Sequence, residues 1–347
     1  MRFFDYSFLA HGMLPASLVG AVAAIHGLRE REAERKDAYG EVFVKLESVA
    51  KVQSVKGSNA IEGIVTSDQR ITEIVNRNSA PLNHDESEIA GYRDALDLVH
   101  SESANLEIRE RDILRLHEVM LSWTPEGGGR YKESDNVIME IDAQGKRSVR
   151  FAPVSARETA EAMEQLTLAY AEAKDNAVIS RLLLIPCFVL DFLCIHPFAD
   201  GNGRMSRLLS LLLLYRSGFD AGRYISFEEQ INRGKSSYYQ ALKESSVGWH
   251  EGQNSYFPFI GNFITTLLYC YKELDKRFAV VGAKRFGKRQ RVEATVLNSL
   301  LPISKAEICH ILPDVSPTTV EVVLAAMVKG GLVRKVGTGR STKYVRA

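Results

Sequence analysis

The chain has no apolar stretch long enough to cross a bilayer. Its longest runs, residues 182–195 and 208–214, fall short of the roughly 20 residues a spanning helix needs, and Asp191 interrupts the first. A secretory leader is not expected either, because Asp5, His11 and Pro15 break up the early apolar residues. The four cysteines, Cys187, Cys194, Cys270 and Cys309, lack metal-ligand or redox spacing. They read as reduced core residues of a cytoplasmic protein with no membrane association. Internal repeats and low-complexity segments are also lacking, which argues against a solenoid or a disordered chain.

What is present is ordinary for a globular protein: 45% hydrophobic and 25% charged residues over a length sufficient for two or three packed units. Charge is unevenly spread. Residues 284–347 carry a net +8, which leaves −7 on the remainder of a chain whose total is +1. That asymmetry marks a basic C-terminal module.

Helical spacing dominates. It predicts helices over 16–56, from a loop at 76–85 through 99, and over 108–122, 155–174, 177–195, 203–215, 237–245 and 258–278. Residues 137–151 differ: Val137, Met139 and Ile141 alternate, 142–146 supply turn chemistry, and Val149 and Phe151 alternate again, which predicts a β-hairpin. Beyond a Gly- and basic-rich linker at 281–288, residues 292–301 read as a helix. Ser304 with Glu307 forms a capping box opening a second, and Ser316-Pro317 opens a third that Gly330-Gly331 ends. A short basic hairpin follows, with strands at 332–336 and 341–345. Three helices and a two-stranded wing make a winged-helix plan.

The chemistry concentrates in one stretch, His196-Pro197-Phe198-Ala199-Asp200-Gly201-Asn202-Gly203-Arg204-Met205-Ser206-Arg207. It lies between two apolar helical segments, so its polar residues sit on a short loop held by a rigid scaffold. Gly201 and Gly203 permit close backbone approach to a ligand, and the following helix aims free N–H groups and its positive dipole end there. Arg204 and Arg207 are neighbours on the first turn. Two guanidinium forks beside a helix N-terminus point to an anion, above all a polyphosphate. Asp200 is a hard oxygen ligand suited to Mg²⁺ bridging phosphates. His196 is the only nearby side chain able to act as a general base near neutral pH. Singly, a His before Pro or a Gly-Asn-Gly turn is commonplace; the combined spacing is not.

These residues match throughout the Fic signature H-x-F-x-[D/E]-G-N-G-R-x-x-R, and the chain resembles the Fic family over about residues 90–270. The resemblance implies a mainly all-α fold, a helical core with a β-hairpin flap. It also implies protein adenylylation: His196 deprotonates a Tyr, Thr or Ser hydroxyl that attacks the α-phosphate of ATP. Asp200 would hold Mg²⁺, Gly201, Asn202 and Gly203 would cradle the α- and β-phosphates, and Arg204 and Arg207 would meet the β- and γ-phosphates. Phe198 would be a buried anchor. The hairpin would lay the target segment down by strand addition. Tyr238 and Tyr239 resemble the segment beside the adenine.

Upstream, Ser58-Asn59-Ala60-Ile61-Glu62-Gly63 matches [S/T]-x-x-x-E-[G/N], the inhibitory motif of one Fic subclass. By that resemblance Glu62 pairs with Arg207, takes the fork meant for the γ-phosphate, and Ser58 belongs to the same inhibitory contact. The implied organisation is an N-terminal helical region (1–89), the Fic core (90–280) and a winged helix-turn-helix domain (285–347). Thr318, Thr319, Lys329, Arg334, Lys335, Arg340 and Lys343 would face a phosphate backbone, making DNA a candidate partner beside a hydroxyl-bearing protein, this chain itself included, and a homodimer. Transfer of another phosphate-linked group, removal of AMP, and a nucleotide-sensing transcriptional regulator are the competing readings.

Overall fold

The computed structural model describes residues 2–141, 145, 147–282, 287–297, 299, 302–312, 314–337, 339 and 342–347. Most of these are helical, as the spacing predicts. The flap's turn residues other than Gly145, residues 283–286 of the 281–288 linker, the end of the 292–301 helix, and Arg340 and Ser341 of the wing lie outside the described residues. No helix among the described residues is long and apolar enough to cross a membrane.

Two compact units do not follow chain order. One joins Met1–His26 to Ala50–Cys270; the other joins Gly27–Val49 to Tyr271–Ala347. The helices Ala16–Ala38, Gly40–Ile61 and Phe257–Gly282 each contribute residues to both units.

The elements run α1 (Phe8–His11), α2 (Ala16–Ala38), α3 (Gly40–Ile61), α4 (Asp68–Arg77), α5 (His84–Glu102) and α6 (Glu110–Met120). The helix expected over 16–56 is two helices, broken at Tyr39 just before Gly40, where the missing side chain weakens continuation. Helix α4 escapes the spacing pattern because only Ile71, Ile74 and Val75 face inward, yet its ends are well specified. Ser67 accepts from the Arg70 N–H at its start, and Asn78 closes it in the left-handed conformation at φ 50°.

The hairpin follows as β1 (Ile138–Ile141) and β2 (Arg147–Phe151). Its antiparallel register pairs Ile138 with Phe151 and Met139 with Val149, leaving Arg150 as the extra residue of a bulge. Next come α7 (Ala156–Asp175), α8 (Arg181–Ile195), α9 (Asn202–Arg216), α10 (Ala221–Tyr224), α11 (Phe227–Arg233), α12 (Lys235–Ser246) and α13 (Phe257–Gly282). Helix α8 is apolar on every side and buried throughout most of its length, and it packs against α7, α9 and α12. It is the central post from which the loop at 196–201 hangs.

Asp191 is the one carboxylate inside that post, and it is fully buried. It accepts hydrogen bonds from Tyr6 Oη at 2.8 Å, Trp249 Nε1 at 2.6 Å and Tyr256 Oη at 2.8 Å. Burial pushes its pKa up, while the Arg2 charge and the three donors oppose that shift. Arg2 closes the cluster, donating to Tyr256 Oη at 2.7 Å with its guanidinium 4.8 Å from the Trp249 ring centroid.

The second unit contains α14 (Lys288–Leu297), β3 (Ile303–Ser304), α15 (Lys305–Ile311), α16 (Pro317–Lys329), β4 (Val333–Val336) and β5 (Lys343–Arg346). The strands form one antiparallel sheet in the order β3-β5-β4, so the expected two-stranded wing gains a third, very short strand. The Ser304–Glu307 capping box forms as read, and Ser316 accepts from the Thr319 N–H with Pro317 in the first turn. Val292, Ile308, Leu312, Val320, Leu324 and Val333 lie in a core of this region's own. Residues 27–49 join the unit through Phe43, stacked on Phe278 at 4.9 Å, and through Arg35–Asp275 at 2.9 Å and Lys45–Glu307 at 3.1 Å.

Asp191→Ala would strand three buried donors, at a cost of about 3 kcal/mol or more of stability. Urea denaturation should show it; a loss below about 1 kcal/mol would mean that the cluster contributes little.

Candidate active site

Helix α8 ends at His196, which takes the left-handed conformation with φ 53° and ψ 60°. This unusual cap turns the chain sharply into the loop. His196 Nδ1 lies 3.3 Å from the Leu193 carbonyl, so the proton sits on Nδ1 and Nε2 keeps its lone pair. Burial is the first reason that its pKa falls from 6.5 to about 4; the nearby Lys132 and Arg150 charges push the same way. A neutral imidazole with an open Nε2 is what a general base requires.

The loop is held from inside. Phe198 is fully buried and stacks on His117, ring centroids 3.7 Å apart. The Asn202 side chain clamps the Phe198 backbone, accepting from its N–H at 2.9 Å and donating to its carbonyl at 2.8 Å. With that amide engaged, only the Asn202 backbone is left to face a ligand. Asn136 donates to the same Phe198 carbonyl at 3.1 Å, and Lys132 donates to the Ile195 carbonyl at 3.2 Å.

In the sequence His117 is marked only by a place on the inner face of α6. Its Nδ1 accepts from the Gly129 N–H at 3.1 Å, so Nε2 donates to the Asp200 carbonyl at 3.2 Å. Burial likewise lowers its pKa to about 4.

Gly201, at φ 80°, leads into α9, and Gly203 stands in its first turn. A Cβ on Gly203 would lie 2.3 Å from Glu62 Oε1, so only glycine lets the carboxylate approach the helix start so closely. That is an anion held at a helix N-terminus by a side chain of the same chain.

The two arginines turn apart. Arg207, almost fully buried, donates from Nη2 to Glu62 Oε1 at 2.8 Å and to the Ser58 carbonyl at 3.0 Å, and from Nε to Ser58 Oγ at 2.8 Å. Arg204 is equally buried but pairs with Glu88 of α5 and, at 2.9 Å, with the exposed carboxylate of Asp200. The Glu88 contact was not legible in the sequence, since 116 positions separate the pair.

A cavity of about 1070 Å³ brings together His196, Gly203, Arg207, Glu62, Tyr238, Tyr239 and the inner edge of the hairpin. Asp200 faces a neighbouring cavity with His84, Glu88 and His117. Helix α3 is fastened above the first cavity at a second place. Glu228, fully buried, accepts from Ser54 Oγ at 2.7 Å and Tyr92 Oη at 3.0 Å. Ser54, Ser58 and Glu62 thus form one face of α3 and its end at a four-residue spacing. A Cβ on Gly57 would lie 2.9 Å from the Glu229 nitrogen, so helix and core meet backbone to backbone. On the far side the hairpin is tethered to α12 by Lys243–Glu140 at 2.7 Å.

A left-handed histidine, a glycine-lined helix start and a buried arginine thus meet around one cavity of an α-helical domain. Residues 107–214 match the Fic/DOC family model. The chain is similar to a protein adenylyltransferase Fic of Nematostella vectensis, 28% identical over 207 residues. That match takes in 57% of this chain and 44% of the relative, so the chain spans under half the relative's length. A Fic family protein of Desulfovibrio desulfuricans shares the fold with a TM-score of 0.60 at 19% identity, over 96% of this chain and 97% of that one. A Fic domain-containing signaling protein of Bacteroides thetaiotaomicron does so with a TM-score of 0.61 at 20% identity, over 75% and 96%.

Unfolded histidines bind a proton near 6.5, whereas the folded His117 and His196 resist it until about 4. The unfolded chain therefore holds more protons in that window, and stability should fall as pH drops from 6.5 toward 4. Two imidazole signals titrating near pH 4 by NMR would bear this out; titration of both near 6.5 would contradict it.

Proposed function

We propose that the chain is a protein adenylyltransferase that moves AMP from ATP to a Tyr, Thr or Ser hydroxyl of a protein. The observation that carries this reading is a neutral His196 with a free Nε2 on the same cavity wall as Gly203 and Arg207. Nε2 takes the hydroxyl proton as the oxygen bonds to the α-phosphorus. The bridging bond to the β-phosphate then breaks, and pyrophosphate leaves with the electron pair. The first backbone N–H groups of α9 stabilise the phosphate oxygens as charge builds. Tyr238, buried, and Tyr239, partly so, offer ring surface for the adenine. The hairpin edge suits an extended target segment. Asp200, an exposed carboxylate of the loop itself, fits a Mg²⁺ ion that keeps most of its ligands as water and phosphate oxygens. Such an ion would offset phosphate charge when bound. Asp200 would have to exchange its Arg204 contact for it.

The same geometry supports restraint of the reaction by Glu62. Its carboxylate lies against Gly203 and Arg207, where a terminal phosphate would sit, and like charges cannot share one guanidinium at close range. Glu62→Gly should raise labelled-AMP incorporation by on the order of 10²-fold, by letting the α-phosphate reach an in-line position. His196→Ala in that background should remove about 10²–10⁴-fold of the rate. Label that survives the double substitution would disprove the base assignment, and no gain from Glu62→Gly alone would disprove the restraint.

A second reading concerns the basic unit, read as a winged helix. Lys329, Arg334, Lys335, Lys343 and Arg346 are all exposed, as is Thr318 at the start of α16. We infer a nucleic-acid contact through phosphates. Affinity for duplex DNA should then drop by on the order of 10²-fold or more between about 50 and 200 mM salt; salt-independent binding, or none, would favour a protein partner.

A further inference from the structure

Among the described residues, four cations line the cavity that holds His196: Arg150, Arg207, Lys235 and Lys243. Three have acceptors. Arg207 is paired with Glu62, Lys243 with Glu140, and Lys235 donates to the Ile61 carbonyl at 2.6 Å. Arg150 makes no hydrogen bond or ion pair among the described residues, and its Nε is shut off from solvent without a partner. A guanidinium with a desolvated N–H and no acceptor is costly to keep unless an anion completes it.

The backbone explains why the side chain is there. In regular pairing, successive residues of β2 would alternate between faces. The register instead slips between Ile138 and Met139, so Val149 and Phe151 take partners on β1 and Arg150 is the unpaired residue between them. Bulges of this kind re-aim a side chain. Val149 points outward and exposed, while Arg150 lines the cavity. Its charge is felt by His196, Tyr238 and Tyr239, which places it toward the base and the aromatic wall.

We propose that Arg150 is a phosphate-binding residue of the donor site, gripping non-bridging oxygens of the nucleotide's α-phosphate from the hairpin side. This rests on the adenylyltransferase reading, which puts the α-phosphate next to His196. The hairpin would then act on the donor as well as on the target. Two cations would flank the phosphate chain from opposite walls, Arg207 at its far end and Arg150 at the reacting end. A planar fork fits two phosphate oxygens at once, which an ammonium does not.

The test is calorimetric binding of AMP and of adenosine to the full chain and to Arg150→Gln and Arg150→Lys. AMP lacks the terminal phosphate with which Glu62 would compete. A charge-assisted contact of this type predicts AMP affinity about tenfold or more weaker in Arg150→Gln, with Arg150→Lys between that variant and the unsubstituted protein. Adenosine affinity should stay within about twofold in all three, which also shows that the variants fold. Undiminished AMP binding by Arg150→Gln would overturn the proposal. So would a loss of transfer rate with AMP affinity intact, since Arg150 would then be reading an acidic residue of the target. An unsubstituted protein that binds neither ligand would overturn the adenylyltransferase reading and this one with it. Binding of both ligands by the unsubstituted protein, with AMP equally tight in Arg150→Gln, would remove only the Arg150 assignment.

Discussion

A buried guanidinium has to be answered by an anion, and Arg207 is almost wholly removed from water. Its three hydrogen bonds to Ser58 and Glu62 bind a segment 149 positions upstream to the start of α9. From that requirement much of the site follows. Helix α3 must run across the core to bring Ser58 and Glu62 into place, Gly57 must lack a side chain to let it lie flat, and Gly203 must lack one to admit the carboxylate. In the function proposed above, a phosphate that reached Arg207 would have to displace Glu62 from this contact.

The loop before α9 meets a different constraint: it must stay rigid while presenting bare backbone. A flexible loop would lose ordering entropy on each binding event. Here Phe198 is driven into the core against His117, and Asn202 and Asn136 together satisfy its backbone. The polar groups that hold the loop point inward, which leaves Nε2 of His196 and the helix N-terminus to the cavity. Asp191 serves the same end one turn and more below, fastening α8 to Tyr6, Trp249 and Tyr256.

Legibility in the sequence tracked the range of the interactions. Helix caps such as Ser304–Glu307 and Ser316–Pro317 were readable because they are completed within four residues. The hairpin was readable from alternation, but its bulge was not, since a slip in register depends on how two strands meet. Helix α4 carries too few apolar positions to set a period. The neighbouring positions of Arg204 and Arg207 suggested a common ligand, whereas the fold gives one to Glu88 and the other to Glu62.

By itself the sequence determined the helical character, the signature loop between two apolar segments, the capped helices of the basic unit and the motif at Ser58–Glu62, and it offered His196 and Asp200 as candidates for a base and a hard oxygen ligand. Each of these is written in short-range spacing, where backbone geometry alone brings the residues together. Only the tertiary structure decided that residues 27–49 pack with 271–347, that His117 underpins Phe198, that Glu228 accepts from both Ser54 and Tyr92, and that Arg150 is turned into the cavity without a partner among the described residues. Those contacts join positions tens to more than a hundred residues apart. Their partners are selected by burial, which strips water from a charge or hydroxyl and obliges it to find whatever group the packing has brought near.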